Sequence, residues 1–363
     1  MTYANPAPRA TREAPIAADT REGFLQTSDG TKLWYRIAGS GPALVCQNGV
    51  GVTITFWEHL AERFATKGYT TVLWDYRGHG RSEEPRDLRR FTLDTCVDDL
   101  CFLLDELGID AACLLGHSMG AQLGWEFYRT HRDRVRALVP TLGTYRNAIS
   151  SFYDMPRVAP RVFDAARFMA ASFPGVVKKL TSIPASQPGL SDRVMRGLSI
   201  VHPTLSPKDW VPGYLRHMAR LDPRVFFALA RGIRDHDASD LLPEIQVPVL
   251  VVAGDRDFFC PPRVAREMVD RIPGAELLMI PGGSHAAIIE QPALVDLRLQ
   301  RFLSERVYRD AAPAAATTHL ALIPGGRPDE EAPAREVPVA DSAAPEREVA
   351  TPAVGTGAGT EES

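Results

Sequence analysis

The sequence predicts an α/β fold: a doubly wound, mainly parallel sheet with an inserted helical cap and a disordered C-terminal tail. Three observations lead there. Short apolar runs alternate with stretches of helical period from about residue 43 to 142, and the same rhythm returns from about 243 to 302. Between residues 145 and 238 the helical periods continue, strands disappear, and prolines accumulate at Pro156, Pro160, Pro174, Pro184, Pro188, Pro203 and Pro212. From about Asp310 onward the chain is rich in Ala, Pro, Gly and Glu and has no Phe, Tyr or Trp. Such a segment buries too little apolar surface to offset its conformational entropy. The expected organisation is a flexible lead-in over residues 1–20, a core from 21–144 and 239–309, a helical cap over 145–238, and a disordered tail over 310–363.

In order, Gly23–Thr27 and Lys32–Ala38 read as a hairpin closed by the turn chemistry of Ser28-Asp29-Gly30. Ala43–Gln47 is a buried strand. A helix through Phe56, Trp57, Leu60 and Phe64 follows, closed by Gly68. Thr70–Trp74 is the next buried strand and runs into Asp75-Tyr-Arg-Gly-His-Gly-Arg-Ser82. Val97, Leu100, Leu103, Leu104 and Leu107 form one stripe of a helix that Gly108 stops. Ala111–Leu115 is a strand, and the run through Leu123, Trp125, Phe127 and Tyr128 a helix. Val135–Leu142 is a further strand. The sheet resumes within Pro243–Gly254, followed by a helix near Pro262–Arg271, a strand over Ala275–Ile280 and a last helix through Leu294, Leu297, Leu299 and Phe302. Buried strands interleaved with helices imply parallel pairing with both faces covered.

With 363 residues, 45% of them hydrophobic, the chain can bury a large core. The formal net charge of −4 conceals an uneven distribution, since residues from Ala311 onward carry nine acids against three arginines. The remainder is near neutral, which gives no reason to expect nucleic-acid binding. Cys46, Cys96, Cys101, Cys113 and Cys260 show neither a C-x-x-C pair nor metal-ligand spacing, as expected of reduced thiols in a cytoplasmic protein. Residues 1–20 lack the apolar core of a signal peptide, and no run is long enough for a membrane span. No metal and no cofactor is expected.

The chemistry centres on Gly116-His117-Ser118-Met119-Gly120, a G-x-S-x-G set between a strand and a helix. A serine on so tight a turn has a strained backbone, and the flanking glycines leave room for neighbouring chain. A serine nucleophile requires a base and an acid that orients the base. Asp257 lies in the turn after one C-terminal strand, His285 in the turn after the next, both beyond carboxyl ends of strands where open α/β sheets place ligands. Asp255 is the rival acid; it directly follows Gly254 and fits a turn cap better. His285 could also be an ordinary hydrogen-bonded loop histidine, His117 reads as packing at the elbow, and His79 as part of a turn. A developing oxyanion requires two N–H donors. Met119, just after the nucleophile, is one candidate, and Val50 in Asn48-Gly49-Val50-Gly51 the other.

Taken together, the Asn48-Gly49 loop, Asp75–Ser82, Gly116–Gly120, Gly254-Asp-Arg-Asp257 and Ser284-His285 resemble the α/β-hydrolase superfamily, in its esterase, lipase and lactonase branch with a helical cap. The likeness spans about residues 21–308. It implies Ser118 as nucleophile, Asp257 as orienting acid, His285 as base, and Val50 and Met119 as the oxyanion hole. The activity implied is cleavage of a small to medium, mainly apolar carboxylic ester or lactone through an acyl-enzyme. Thioesterases, C–C bond hydrolases and cofactor-free perhydrolases share this scaffold, as does a non-catalytic binding protein. The family usually has His-Gly where this chain has Asn48-Gly49; a backbone donor survives that change. Phe152, Tyr153, Phe163, Phe168, Met169, Phe173, Trp210, Tyr214, Phe226 and Phe227 are expected either to shape the substrate pocket or to pack the cap onto the core. The cap's excess of basic residues suits an anionic substrate group, transient contact with acidic lipid headgroups, or simply a solvated face.

Overall fold

The computed structural model describes residues 19–309 apart from 153, 154, 156, 198 and 199. The expected tail over 310–363, nearly all of the lead-in, and Tyr153 of the cap aromatics therefore lie outside the described residues.

Eight strands form one sheet: β1 (Arg21–Gln26), β2 (Lys32–Ala38), β3 (Ala43–Gln47), β4 (Thr70–Trp74), β5 (Ala112–His117), β6 (Val135–Thr141), β7 (Leu250–Gly254) and β8 (Glu276–Ile280). Their order is β1-β2-β4-β3-β5-β6-β7-β8. β2 pairs antiparallel with both β1 and β4, and every later pairing is parallel. The β1–β2 turn places Gly30 at φ 82°, a region glycine enters without penalty.

Twelve helices accompany the strands among the described residues: α1 (Glu58–Ala65), α2 (Leu93–Glu106), α3 (Met119–Thr130), α4 (Ala148–Ser151), α5 (Ala159–Ser172), α6 (Pro174–Ser186), α7 (Pro188–Gly197), α8 (Trp210–Arg220), α9 (Pro223–Asp235), α10 (Pro262–Arg271), α11 (Ala287–Glu290) and α12 (Pro292–Phe302). The strand period of two splits the core into two layers. Leu44, Cys46, Cys113, Leu115, Leu250 and Val252 face α1 and α12 through Phe64, Leu299 and Phe302. Val45, Leu114 and Val251 face the other way, toward α2, α3 and α10 through Leu104, Leu123 and Met268. None of the described helices is long and apolar enough to cross a membrane.

Two local expectations need correction. The sequence pattern puts Leu297 on the apolar stripe of the last helix, yet it is 70% exposed on α12; Val295, Leu299 and Phe302 make the buried stripe. Of the stretch Pro243–Gly254, only Leu250–Gly254 is strand. Pro243 and Pro248 have no N–H for a ladder, and Leu242–Glu244 forms a 3-10 turn instead.

Helices α4–α9 form the insert between β6 and β7. Its two ends meet: Arg146 and Asp237 form an antiparallel bridge, and the Ala238 N–H donates to the Tyr145 carbonyl at 2.8 Å. The insert is anchored unequally. α9 buries Val225, Leu229, Ala230 and Ile233, whereas α6 and α7 bury no residue.

Candidate active site

Ser118 sits between β5 and α3 at φ 53°, ψ −113°. Leu142 is the only other non-glycine with positive φ among the described residues. The reason only glycine serves at the flanks is direct. A Cβ on Gly116 would lie 2.3 Å from the Gly120 carbonyl oxygen, and one on Gly120 would lie 2.4 Å from the Gln47 carbonyl oxygen. The turn is held by the Ser118 N–H, which donates to the Thr141 carbonyl at 3.0 Å.

The structure brings Ser118, His285 and Asp257 together. His285 Nδ1 lies 2.9 Å from Asp257 Oδ2, and His285 Nε2 lies 3.1 Å from Ser118 Oγ. A carboxylate only accepts, so Nδ1 carries the proton and Nε2 is left to accept from the serine hydroxyl. Asp257 is buried, and its other oxygen accepts the N–H groups of Phe259 and Cys260 at 2.8 and 3.0 Å. Asp255 is exposed, two residues short of this position. The Phe259 ring stacks on His285 at 4.6 Å.

Val50 and Ser118 line the same cavity. Met119 is the first residue of α3, so its N–H has no acceptor within the helix. The Val50 loop is fixed from below. Asn48 Nδ2 donates to the Trp74 carbonyl at 2.8 Å, and Tyr76 OH donates to the Asn48 carbonyl at 2.8 Å. The Gly51 N–H donates to His79 Nε2 at 3.0 Å, while His79 Nδ1 donates to the Arg77 carbonyl at 3.1 Å. Burial lowers the His79 imidazole to about 4, so it stays neutral and can accept.

The 75–82 segment thus supports the Val50 loop through Tyr76 and His79. Arg77 also makes a two-point ion pair with buried Asp99 at 2.6 and 2.7 Å, and Ser82 Oγ donates to the Asp75 carbonyl at 2.6 Å. His79 is therefore more than the turn residue the sequence suggests; its signal in the sequence is an imidazole between two glycines, Gly78 and Gly80, both with positive φ.

His117 does more than pack. Its Nε2 donates to the His285 carbonyl at 3.0 Å, and burial first, then the neighbouring His285, lowers it to about 3. Glu290 has no counterpart in the sequence reading. One of its oxygens accepts from the His202 N–H, Ser206 Oγ and Ser284 Oγ, each at 2.6 Å, and the other accepts the Ser284 N–H at 3.1 Å. A buried carboxylate so fully satisfied ties the residue before His285 to the insert. Nothing in a linear sequence marks Glu290, because its partners lie up to 88 positions away.

Asp257, Cys260 and His285 are the one group of three metal-type ligands among the described residues, with donor atoms within 4.8 Å of one another. The geometry does not favour an ion. Asp257 and His285 are already bonded to each other, and burial pushes the Cys260 thiol well up, away from the thiolate a metal requires. All five cysteines are free, and Cys46, Cys96, Cys113 and Cys260 are buried.

The cavity over Ser118 has a volume of about 160 Å³ and is lined mostly by apolar and aromatic groups, among them Val52, Phe56, Met195, Val201, Trp210, Tyr214 and Phe226. Among the described residues, no carboxylate lines it. A larger cleft of about 780 Å³, beside the β1–β2 turn and α2, is lined mainly by polar and charged residues and shares none with this site. Of the insert's aromatics, Trp210, Tyr214 and Phe226 line the cavity. Phe152 packs edge-on against Phe259 at 4.5 Å, and Phe163 packs against Phe227 at 5.6 Å. Phe168, Met169 and Phe173 do neither; all three are exposed, because α5 and α6 turn one face away from the core.

Known proteins agree with this architecture. A proline iminopeptidase from Levilactobacillus brevis is 28% identical over 289 residues, covering 75% of this chain and 93% of its own length. A thermophilic esterase from Thermogutta terrifontis superposes with a TM-score of 0.61 at 22% identity, covering 78% of this chain and 98% of that one. An enol-lactonase from Burkholderia xenovorans gives 0.61 at 22%, covering 78% and 100%. The two structural likenesses are of fold. Residues 42–292 match the alpha/beta hydrolase fold family, and the chain belongs to that family.

Proposed function

We propose that this protein is a serine hydrolase that cleaves a carboxylic ester or lactone of a small to medium, mainly apolar substrate. The observation that carries the reading is the hydrogen-bonded series Ser118 Oγ–His285–Asp257, with one hydrogen bond at each nitrogen of the imidazole. In this reading Ser118 Oγ attacks the carbonyl carbon as its proton passes to His285 Nε2. Asp257 stabilises the imidazolium, and the N–H groups of Val50 and Met119 receive the oxyanion. His285 returns the proton to the leaving alkoxide, which departs and leaves an acyl-Ser118. Water, deprotonated by His285, then attacks the acyl carbon; the acid leaves and Ser118 recovers its proton.

Substrate size is argued from the cavity. Its volume of about 160 Å³ falls below the roughly 300–1,000 Å³ of sites for drug-sized ligands, which favours a short acyl group. Among the described residues no carboxylate lines the cavity to hold a substrate amine, which favours an ester or lactone over the aminopeptidase activity named for the Levilactobacillus relative.

The test is a series of nitrophenyl esters from acetate to decanoate, with lactones alongside and fluorophosphonate labelling as the check on Ser118 that does not depend on the choice of substrate. We expect labelling that Ser118→Ala abolishes, and kcat/KM at least about tenfold higher for butyrate than for decanoate, since a chain too long for the pocket forfeits its transition-state contacts. Labelling that persists in Ser118→Ala, or a folded wild type that takes no label, would sink the catalytic reading. Labelling without turnover of any ester or lactone would sink only the substrate class.

A further inference from the structure

Three consecutive helices of the insert turn apolar side chains outward. Val162 and Phe168 on α5, Leu180 and Ile183 on α6, and Leu190 and Val194 on α7 are between 49% and 65% exposed. α6 packs against α5, α7 and α8 with its remaining surface, so these side chains are left over after the insert has folded. Isolated exposed apolar residues are ordinary; a series across three successive helices, the middle one packed on both others, marks an interaction surface.

The charges on the same helices that take part in no ion pair among the described residues have one sign. Arg161, Arg167, Lys178, Lys179 and Arg193 are exposed and join none of the ion pairs found among the described residues. The two acids there are already taken: Asp164 pairs with Arg234 at 2.7 Å, and Asp192 with Arg196 at 2.8 Å.

We propose that the outer face of α5–α7 docks on an anionic lipid surface. Apolar side chains interspersed with cations on surface-lying helices are what the boundary between acyl chains and acidic headgroups accommodates. A second copy of the chain fits less well, because a twofold contact would set the five cations against their own images. The acidic segment after Ala311 supplies charge, but it has no aromatic residue and is dominated by Ala and Pro, so it has little with which to cover Phe168. The placement has a functional side. α7 directs Met195 into the cavity over Ser118 while Leu190 and Val194 face outward, so one helix touches both the pocket and the lipid. Docking goes beyond the hydrolytic reading and does not depend on it.

The experiment is co-sedimentation of the full chain with vesicles of phosphatidylcholine alone or with roughly a quarter phosphatidylglycerol, whose negative surface attracts lysine and arginine. We expect binding to the anionic vesicles at least about tenfold tighter than to the neutral ones, weakened by salt. Phe168→Asp with Leu180→Asp, and separately Lys178→Glu with Lys179→Glu, should each lower the partition coefficient about tenfold or more. Both pairs are exposed, and unchanged thermal unfolding verifies that they fold. Ser118→Ala and Leu297→Asp, the latter at an exposed apolar site outside the insert, should bind as wild type. The proposal is overturned if the chain stays in the supernatant with both vesicles, if it pellets equally with both, or if the Phe168→Asp, Leu180→Asp protein pellets like wild type. It is also overturned if wild type sediments as a dimer that this same variant dissociates, since a second copy would then cover the face.

Discussion

α9 and α6 belong to the same insert and are both thirteen residues long, yet one is built into the core and the other packs on its neighbours in the insert. α9 buries Val225, Leu229, Ala230 and Ile233, and it approaches so closely that a Cβ on Gly78 would stand 2.7 Å from Val225 Cγ1. Phe226 beside them reaches the cavity over Ser118. α6 has apolar residues too, at Val176, Leu180 and Ile183, but they face outward and none is buried. Apolar content alone therefore does not decide what a helix does. The direction of its apolar stripe, inward or outward, separates a structural support from a surface that meets something else.

Substitutions can break the contrast or sharpen it. The largest effect is expected from truncating the buried stripe. Leu229→Ala should cost about 2–5 kcal/mol, read from the urea unfolding midpoint and slope.

The supported side of the site also holds an electrostatic cost. Burial raises the Asp75 carboxyl to about 6, well above its value in an unfolded chain, despite the hydrogen bond from the Arg81 N–H. The folded state therefore binds its proton more tightly. This group's contribution favours folding below about pH 4 and is lost as pH rises through about 6. Asp75→Asn removes the ionised form, so its stability relative to wild type should rise by about 2 kcal/mol between pH 4 and pH 7, measured by unfolding at each pH. A pH-independent difference would mean that Asp75 is not the titrating group.

Glycines provide a pair with opposite signs. Gly78 has φ 73° and sits against α9, so Gly78→Ala should destabilise by about 1–3 kcal/mol. Gly175, in α6, has open space where a Cβ would go, and Gly175→Ala should stabilise by about 0.5–1 kcal/mol. The smallest effect belongs to Leu180→Ala. At 57% exposed, it should change stability by no more than about 0.5 kcal/mol, a calorimetric null beside Leu229→Ala.

What could be read in the sequence follows the same divide. The strands of the core announce themselves because a strand buried on both faces is a continuous apolar run, as in Ala43–Gln47 and Thr70–Trp74. The elbow is legible because Gly116 and Gly120 are sterically compulsory, and Asp257 and His285 because strand ends mark where ligands gather. Side chains whose roles depend on distant partners were not legible. Glu290 looks like any surface acid until four hydrogen bonds converge on it, and His79 like a turn residue until Gly51 is found at its Nε2. In the insert, an amphipathic pattern reports that a helix has an apolar stripe but not toward what; hence Phe168 and Phe173 read as pocket or packing residues and are exposed.

The joint at which the insert leaves and rejoins the sheet bears on how such a protein can change. Because Tyr145 and Ala238 are hydrogen-bonded neighbours, whatever is hung between them begins and ends at one point, and the strands on either side need not move to accept a different passenger. Closing a longer or shorter excursion from that joint alters the loop entropy only logarithmically. The helices that shape the pocket and carry the outward apolar face are thus free to be lengthened, lost or traded for others. The serine, the histidine and the aspartate stay where the sheet holds them.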